Sequence, residues 1–415
     1  MTPERAAVEH LAARLGERVR VCGWIDDPVA GGLWLREGTE MVRLRTDEHL
    51  ARETAVEVLG TVVAGEEAVE VAVDELTVVS SVLAPVPLTE ESSLEERLDL
   101  RFLDLRRPRN QLVFRVQTTA ERAMREVWYR EGFVELHSPK IRPTPNKSGR
   151  ELFTIGYFGR PAYLAQSPQF YKQMAMASGF ERVFEIGPVF RANPLITSRH
   201  DTEFTSVDIE MSWINSVDDV MAFEERWLRH VIETVAHEHG DQIARTFGVD
   251  VVVPALPFPR LTLEHARRIA EDAGIEQPPG DLDASGERAV GAHFAAEHGH
   301  QLVFVTRYPV TTRPFYHMRV DDDPTLTRSF DLLWNGMEVT TGAQREHRRD
   351  RLERQAEENG IPLRSLSWYL DFFTYGCPPH GGFGFGLTRM LTRLFGLDDV
   401  REVTYLHRGP QRLMP

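Results

Sequence analysis

Six short runs of β-branched and apolar residues follow one another between Arg18 and Leu83: RVRVCGWI, LWLRE, EMVRLRT, AVEVLGTVVA, EVAVDEL and TVVSSVL. Gly, Asp and Glu turns separate them. Five or six strands in about 65 residues predict a small barrel of the OB type. The barrel is expected within residues 1–85. A hinge is expected over 86–106, where APVPLTEESSLEERLDLRFLDLRRP brings prolines, a polar cluster and a short charged helix. A larger domain over 107–415 follows.

In that larger part the pattern changes. Val113, Val116, Ala120, Ala123 and Val127 recur at helical spacing between Gln111 and Gly132. FVELHSPKI is extended, with Pro139 inside it. Strands and helices then alternate to the end, with an added helical stretch from about 261 to 300. Asp218 to His237 reads as an amphipathic helix with Asp218 or Asp219 near its N-cap. The expectation is an α+β fold of two domains, for which 415 residues suffice. No apolar run reaches 18 residues, so no membrane span is expected. The N-terminal MTPERAAVEHLAARLGERV lacks an apolar signal core, which suggests a cytoplasmic protein. Cys22 and Cys377 are the only cysteines, too few for a disulfide framework or metal knuckle, and buried packing is expected.

Charge bears on partners. The chain carries a net −15. Residues 1–90 hold eight arginines and no lysine against seventeen acids, a net −9. Phosphate backbones need positive potential, so this part is a poor surface for RNA.

Three distant stretches share an anion-binding theme. In FRANPLITSRHDTEF, Arg191 with Arg199 and His200 can hold two ends of a triphosphate, because guanidinium forks match phosphate oxygens. Phe204 offers a flat face for a base. In FDLLWNGMEVTTGAQREH, Asp331, Glu338 and Thr341 are oxygen ligands suited to Mg²⁺. Gly342 there permits close backbone approach, and Arg345 is a carboxylate fork. In PPHGGFGFGLTRMLTRLFGL, Gly381, Gly382, Gly384 and Gly386 lead into a helix carrying Arg389, and a helix N-terminus favours anions. Each stretch also has a bland reading as solvated or half-buried structure.

Taken together and in this order, the three stretches resemble motif 2, the metal-binding strand and motif 3 of class II aminoacyl-tRNA synthetases. FVELHSPKI resembles motif 1, which places Pro139 at a homodimer interface. AYLAQSPQFYKQM, RVFEIGPVFRA, RHDTEFTSVDIEM, RPFYHM, SFDLL, TGAQREH and PPHGGFGFGL are similar to the archaeal, often non-discriminating, aspartyl-tRNA synthetase branch, from about residue 97 to 415. The resemblance implies an antiparallel sheet flanked by helices. It implies ATP and Mg²⁺ as cofactors, and aspartate or a close analogue as the activated acid. It implies that Arg191 holds the α-phosphate, that His200 and Arg389 meet the γ-phosphate end, and that Phe204 stacks on adenine. Asp331, Glu338 and Thr341 would serve Mg²⁺. Gln169 and Lys172 would hold the amino acid. Arg345 would read its side-chain carboxylate, with Asp208 buttressing the positive cluster. Arg345 beside Lys172 would make a doubly positive pocket.

Four positions depart from that branch. Lys147 stands where the branch has a glutamate facing the substrate's α-ammonium. Asn193 replaces an acid after the motif 2 arginine, though an amide still suits an adenine edge. The tip Pro194-Leu195-Ile196 is apolar where relatives face tRNA with polar groups. The barrel segment DDPVAGGLWLREGTEMVRL is shortened, with Arg43 near the position of a base-reading glutamine and Trp34 left to core packing or base stacking. These departures favour a ligase that forms the adenylate and transfers it to ammonia, an amine or a carrier without tRNA. The alternatives are an aspartate–tRNA ligase for Asp or Asp/Asn tRNA, and a non-catalytic synthetase-derived binding protein.

Overall fold

Strands β1 (Arg18–Val29), β2 (Gly32–Glu37), β3 (Glu40–Arg45), β4 (Ala55–Ala64) and β5 (Val69–Ser80) close into a barrel in the order β1-β2-β3-β5-β4. Six expected runs become five strands because EVAVDEL and TVVSSVL are one strand, held to β4 across two register shifts. Val19, Val21, Leu33, Leu35, Val56, Val58 and Val62 point inward, as the two-residue period of a strand requires. All eight arginines of this region lie within ion-pair reach of an acid: Arg5, Arg14, Arg18, Arg20, Arg36, Arg43, Arg45 and Arg52. Trp34 is half-buried.

The computed structural model describes residues 3–29, 32–66, 68–143, 152–195 and 197–414. Two compact units divide the chain, one up to Phe114 and one over Arg115–Met414. The expected short charged helix is Leu94–Asp99, opened by a capping box between Ser93 and Glu96.

In the second unit the strands are β6 (Val134–Glu135), β7 (Ile141–Arg142), β8 (Thr154–Tyr157), β9 (Arg160–Leu164), β10 (Arg182–Phe190), β11 (Glu203–Ser212), β12 (Arg260–Thr262), β13 (Leu302–Thr306), β14 (Ser329–Trp334), β15 (Met337–Arg345) and β16 (His380–Gly386). Eight form one sheet in the order β12-β13-β14-β15-β16-β11-β10-β6, antiparallel except at its two outer pairs. β7, β9 and β8 make a separate small sheet. The helical stretch expected near 261–300 is two helices, Leu263–Asp272 and Ala284–His298.

The large sheet has two chemically different faces. Along β11, Val207 and Ile209 point one way, and Ser206, Asp208 and Glu210 point the other. Along β16, Phe383 and Phe385 share the apolar face with Val207 and Ile209, while Gly382, Gly384 and Gly386 share the polar one. The helix Val217–Phe247 covers the apolar face, with Trp227 against Phe383 (5.5 Å), Phe385 (5.1 Å) and Trp128 (5.4 Å). Such aromatic pairs contribute about 0.5–1.5 kcal/mol each beyond area burial. That helix is longer than the predicted Asp218–His237. Its N-cap is Ser216, with Asp219 completing the capping box, and Gly248 ends it in the left-handed region at φ 70°.

One carboxyl lies on the apolar side. Glu224 is fully buried, and burial with the neighbouring Glu225 and Asp331 charges pushes it up to about 8. Its native form therefore keeps a proton that the unfolded chain releases near pH 4.5. Between those values the native state binds more protons, so this group makes stability fall as pH rises, by up to about 1.4 kcal/mol per pH unit. Glu224→Gln is expected to gain melting temperature relative to the parent from pH 5 to pH 8. A gap that stays constant across that range would contradict the assignment.

Candidate active site

The polar face of the sheet is built around β16. Register places Asp208 of β11, Gly384 of β16, Thr341 of β15 and Asp331 of β14 in one row across four strands. Glu210, Gly382 and Ala343 form the next row. Side chains rise on both flanks, and β16 contributes none. The result is a trough whose floor is backbone. A Cβ at Gly384 would meet only the Asp208 carboxylate, at 3.3 Å.

At one end of the trough lie the anion-binding candidates. Arg191 follows β10, and its guanidinium sits 5.2 Å from the Phe204 ring centroid. Arg389, in the helix Leu387–Phe395, donates to the Glu338 carbonyl at 2.9 Å and lies 3.3 Å from its carboxylate. A side chain at Gly386 would crowd that of Arg389, at 3.3 Å, so this glycine makes room for the arginine to fold back. Arg389 also reaches His200 Nε2 at 3.3 Å. Burial and the charges of Arg389 and Arg191 hold His200 below its ordinary value. A neutral ring accepting at Nε2 leaves Nδ1–H to donate to Thr197 Oγ1 at 2.7 Å.

Glu338 and Thr341 are three residues apart on a strand, a spacing that normally puts side chains on opposite faces. A register shift between Leu332 and Leu333 intervenes, because β15 carries an extra residue there. The bulge turns Glu338 to the polar face, where the Thr341 hydroxyl donates to it at 3.0 Å. Burial would raise Glu338, but the Arg389 and Arg313 charges hold it below the ordinary carboxylate value. The two-residue turn Asn335-Gly336, with φ 46° and 70°, sets this hairpin's register.

Several neighbours were not singled out from the sequence. Arg313 donates to Asp331 at 2.5 Å. Burial works against the Arg313 charge, and the Asp331 carboxylate more than offsets it. Glu287 accepts from Arg199 at 2.6 Å and from the Glu338 backbone N–H at 3.3 Å. Burial and the Glu338 charge push Glu287 up to about 7. Arg199 is thus spent on the helix Ala284–His298.

The other end holds Gln169, Lys172, Asp208 and Arg345, all buried. It is not doubly positive. Lys172 donates to Asp208 at 2.9 Å, Ile209 O at 3.1 Å and Phe383 O at 3.0 Å, which uses its three N–H bonds. Arg345 donates to Glu210 at 3.1 Å and Gly382 O at 2.9 Å, and contacts His317 Nε2 at 2.9 Å. Two acids match two cations, as buried charges require. Asp208 pairs with Lys172 and Glu210 with Arg345, so the two cations are charge-balanced. Glu210 and His317 were missed by the sequence reading. The alternation Ser206-Val207-Asp208-Ile209-Glu210 could have found the acid. Gln169 donates to Gln173 at 3.1 Å.

Other expectations fared differently. Gly342 lies on the opposite face, where a Cβ would strike the Phe330 ring at 2.2 Å, so its smallness serves packing. Asn193 Oδ1 accepts from the Leu195 N–H at 2.9 Å and shapes the loop tip. Leu195 is 67% exposed. Ile196 and Lys147 lie outside the described residues. Cys22 and Cys377 are free and half-buried. Among the described residues no helix is long and apolar enough to cross a membrane.

A glycine-floored trough on an antiparallel sheet, with an arginine grip at one end, is the arrangement expected of the synthetase class. The chain belongs to the class II tRNA synthetases of the D, K and N group, whose family model matches residues 93–408. It is 40% identical to an aspartate–tRNA(Asp) ligase of Pyrococcus horikoshii, over 96% of this chain and 97% of that protein. It is 42% identical to an aspartate–tRNA(Asp/Asn) ligase of Methanopyrus kandleri, over 100% and 98%. Among solved structures it is similar to asparaginyl-tRNA synthetase of P. horikoshii complexed with asparaginyl-adenylate. There the TM-score is 0.91 and identity 31%, covering 99% of this chain and 100% of that one. The aspartyl-type resemblance and the ligase class are borne out.

Proposed function

We propose that this protein is an aspartate–tRNA ligase, which activates aspartate with ATP and passes the aspartyl group to tRNA. The observation that carries this reading is the trough itself, with Arg191, His200 and Arg389 at one end and Lys172, Asp208, Glu210 and Arg345 at the other. A carboxylate oxygen of the acid attacks the α-phosphorus of ATP, the bond to pyrophosphate breaks, and an acyl-adenylate remains. An acceptor hydroxyl then takes the acyl group and AMP leaves. In this reading Arg191 binds the α-phosphate and offsets the charge that grows there. Phe204 stacks on the base, already flanked by Arg191. His200 and Arg389 bind the far phosphates, aided by the N-terminus of the Arg389 helix. Gln169, Lys172 and Arg345 frame the acid, and Asp208 orients Lys172. No covalent enzyme nucleophile is required.

Among the described residues no three His, Cys, Asp or Glu side chains form a metal cage. Asp331 Oδ1 is buried with no hydrogen-bond partner there. With Glu338 and Thr341 it fits a Mg²⁺ that takes most of its ligands from phosphate and water. Such an ion would neutralise phosphate charge during the transfer. We also propose a homodimer through the Pro139 segment, beside which Tyr129, Val134 and Ile141 are exposed.

The tRNA-independent acceptor favoured by the sequence gains no support from full-length relatives, which are tRNA ligases. The barrel's charge balance points instead to weak RNA binding. With every arginine there already paired, few phosphate contacts can form, and affinity should depend only shallowly on salt. Labelled aspartate is expected to become acid-precipitable on total tRNA at near-physiological salt. Intact pyrophosphate exchange without any charging would restore the small-acceptor reading.

A further inference from the structure

The loop from Arg191 to Thr202 joins β10 to β11 and carries both Arg191 and His200. Its base is closed by the Arg191 N–H, which donates to Thr202 O at 2.8 Å. The chain that follows the Arg389 helix returns to hold this loop from outside. Val400, which opens the short helix Val400–Val403, donates its N–H to Ser198 O at 3.0 Å. Arg408 O accepts from the Thr202 N–H at 2.9 Å. Between these two bonds the His407 ring meets the Asp201 carboxylate through Nδ1. Thr404 Oγ1 lies 3.2 Å from the same carboxylate.

Asp201 and His407 are both buried. A carboxylate accepts, so the ring donates at Nδ1. Gly409 makes room for this contact. A Cβ there would stand 2.7 Å from His407 Nε2 and displace the ring. Asp201 is the chain neighbour of His200, whose own ring reaches Arg389 at 3.3 Å and Thr197 at 2.7 Å. The run of chain from Arg389 to Gly409 thus supplies one phosphate-binding group and steadies another. Two backbone bonds already fasten the loop. A buried pair adds little net stability beyond what apolar side chains would give, but its direction can fix one geometry. Phosphate binding needs that geometry, since misplacement by about 1 Å can cost about a hundredfold in rate.

We propose that Asp201 and His407, with the space left by Gly409, are positioning residues for the ATP phosphates: they set His200, and with it Arg389, where the far phosphates bind. This rests on reading that end of the trough as the nucleotide site. The pair fastens the loop bearing Arg191 and His200, whereas Lys172 and Arg345 are held by β11 and β16. Its loss should therefore weaken ATP and spare aspartate.

The test uses Asp201→Ala, His407→Ala, Asp201→Asn and Gly409→Ala in the full chain, with ATP–pyrophosphate exchange and thermal melting with and without Mg²⁺-ATP. In Asp201→Ala and His407→Ala the KM for ATP should rise about fivefold or more, with the KM for aspartate within about twofold, and the melting shift produced by ATP should shrink. Gly409→Ala should show the same split by displacing the ring. Asp201→Asn keeps an acceptor for the ring N–H and should recover most of the ATP affinity. Folded Asp201→Ala and His407→Ala with an unchanged KM for ATP overturn the proposal whatever their melting points, because the pair is then purely structural. So do variants in which both KM values rise together, which marks general loosening. Should both of these fail to fold, Gly409→Ala decides, and an unchanged KM for ATP in it overturns the proposal. A parent that exchanges with no acid would instead defeat the functional reading. The ATP melting shift then decides: a shift in the parent that shrinks in the variants supports the positioning pair, and no shift, or an equal one, overturns it.

Discussion

Glu338→Ala is expected to slow adenylate formation by about a hundredfold or more. The carboxylate meets Arg389 at 3.3 Å and the Thr341 hydroxyl at 3.0 Å. Its loss releases both and removes a candidate metal ligand. Electrostatic groups of this kind typically contribute about 3 kcal/mol to a transition state, or two orders of magnitude in rate. Arg191→Ala and Arg389→Ala should fall in the same range, since each confronts phosphate charge. Glu338→Gln separates charge from size: it can still accept from Thr341 but no longer neutralises Arg389. The measurement is ATP–pyrophosphate exchange with aspartate. Near-parental exchange in all three alanine variants would remove the catalytic reading of this site.

Gly384→Val should be as damaging for a different reason. The position is ordinary extended backbone, so a β-branched residue suits the strand. Its Cβ would press on Asp208 at 3.3 Å, and its methyls would stand in the trough. Exchange is expected to fall by about a thousandfold, with overpacking costing about 1–3 kcal/mol of stability. Gly342→Val is the contrasting variant. Its Cβ would collide with Phe330 on the apolar face at 2.2 Å, so it should lose fold and activity together. A folded Gly384→Val that exchanges normally would show that substrates do not lie over β16.

Placing the motifs on elements was largely a sequence problem. The β-branched runs of the barrel, the helix carrying Val113 to Val127 and the glycine entry to the Arg389 helix all follow from local periodicity and turn residues. The strings around Arg191, Glu338, Arg345 and Arg389 carried the family because many linked motifs agree. The charge balance of the first 90 residues was equally legible, though the pairing of every arginine there was not.

What the sequence could not decide depends on pairing across strands. A strand alternates with a period of two, so Glu338 and Thr341 should diverge. One extra residue in β15, visible only against β14, brings them together. Gly342 and Gly384 read alike in sequence, and register assigns one to Phe330 and the other to the trough. Lys172 and Arg345 read as a doubly positive pocket buttressed by Asp208, until β11 pairs Asp208 with one and Glu210 with the other. Arg199 looked like a phosphate ligand until Glu287, 88 residues on, claimed it. Residue type and local period set which elements form and which chemistry they carry. Counter-charges and facing are set by contacts distant in sequence, because a charge's partner is whatever the fold brings within a few ångströms.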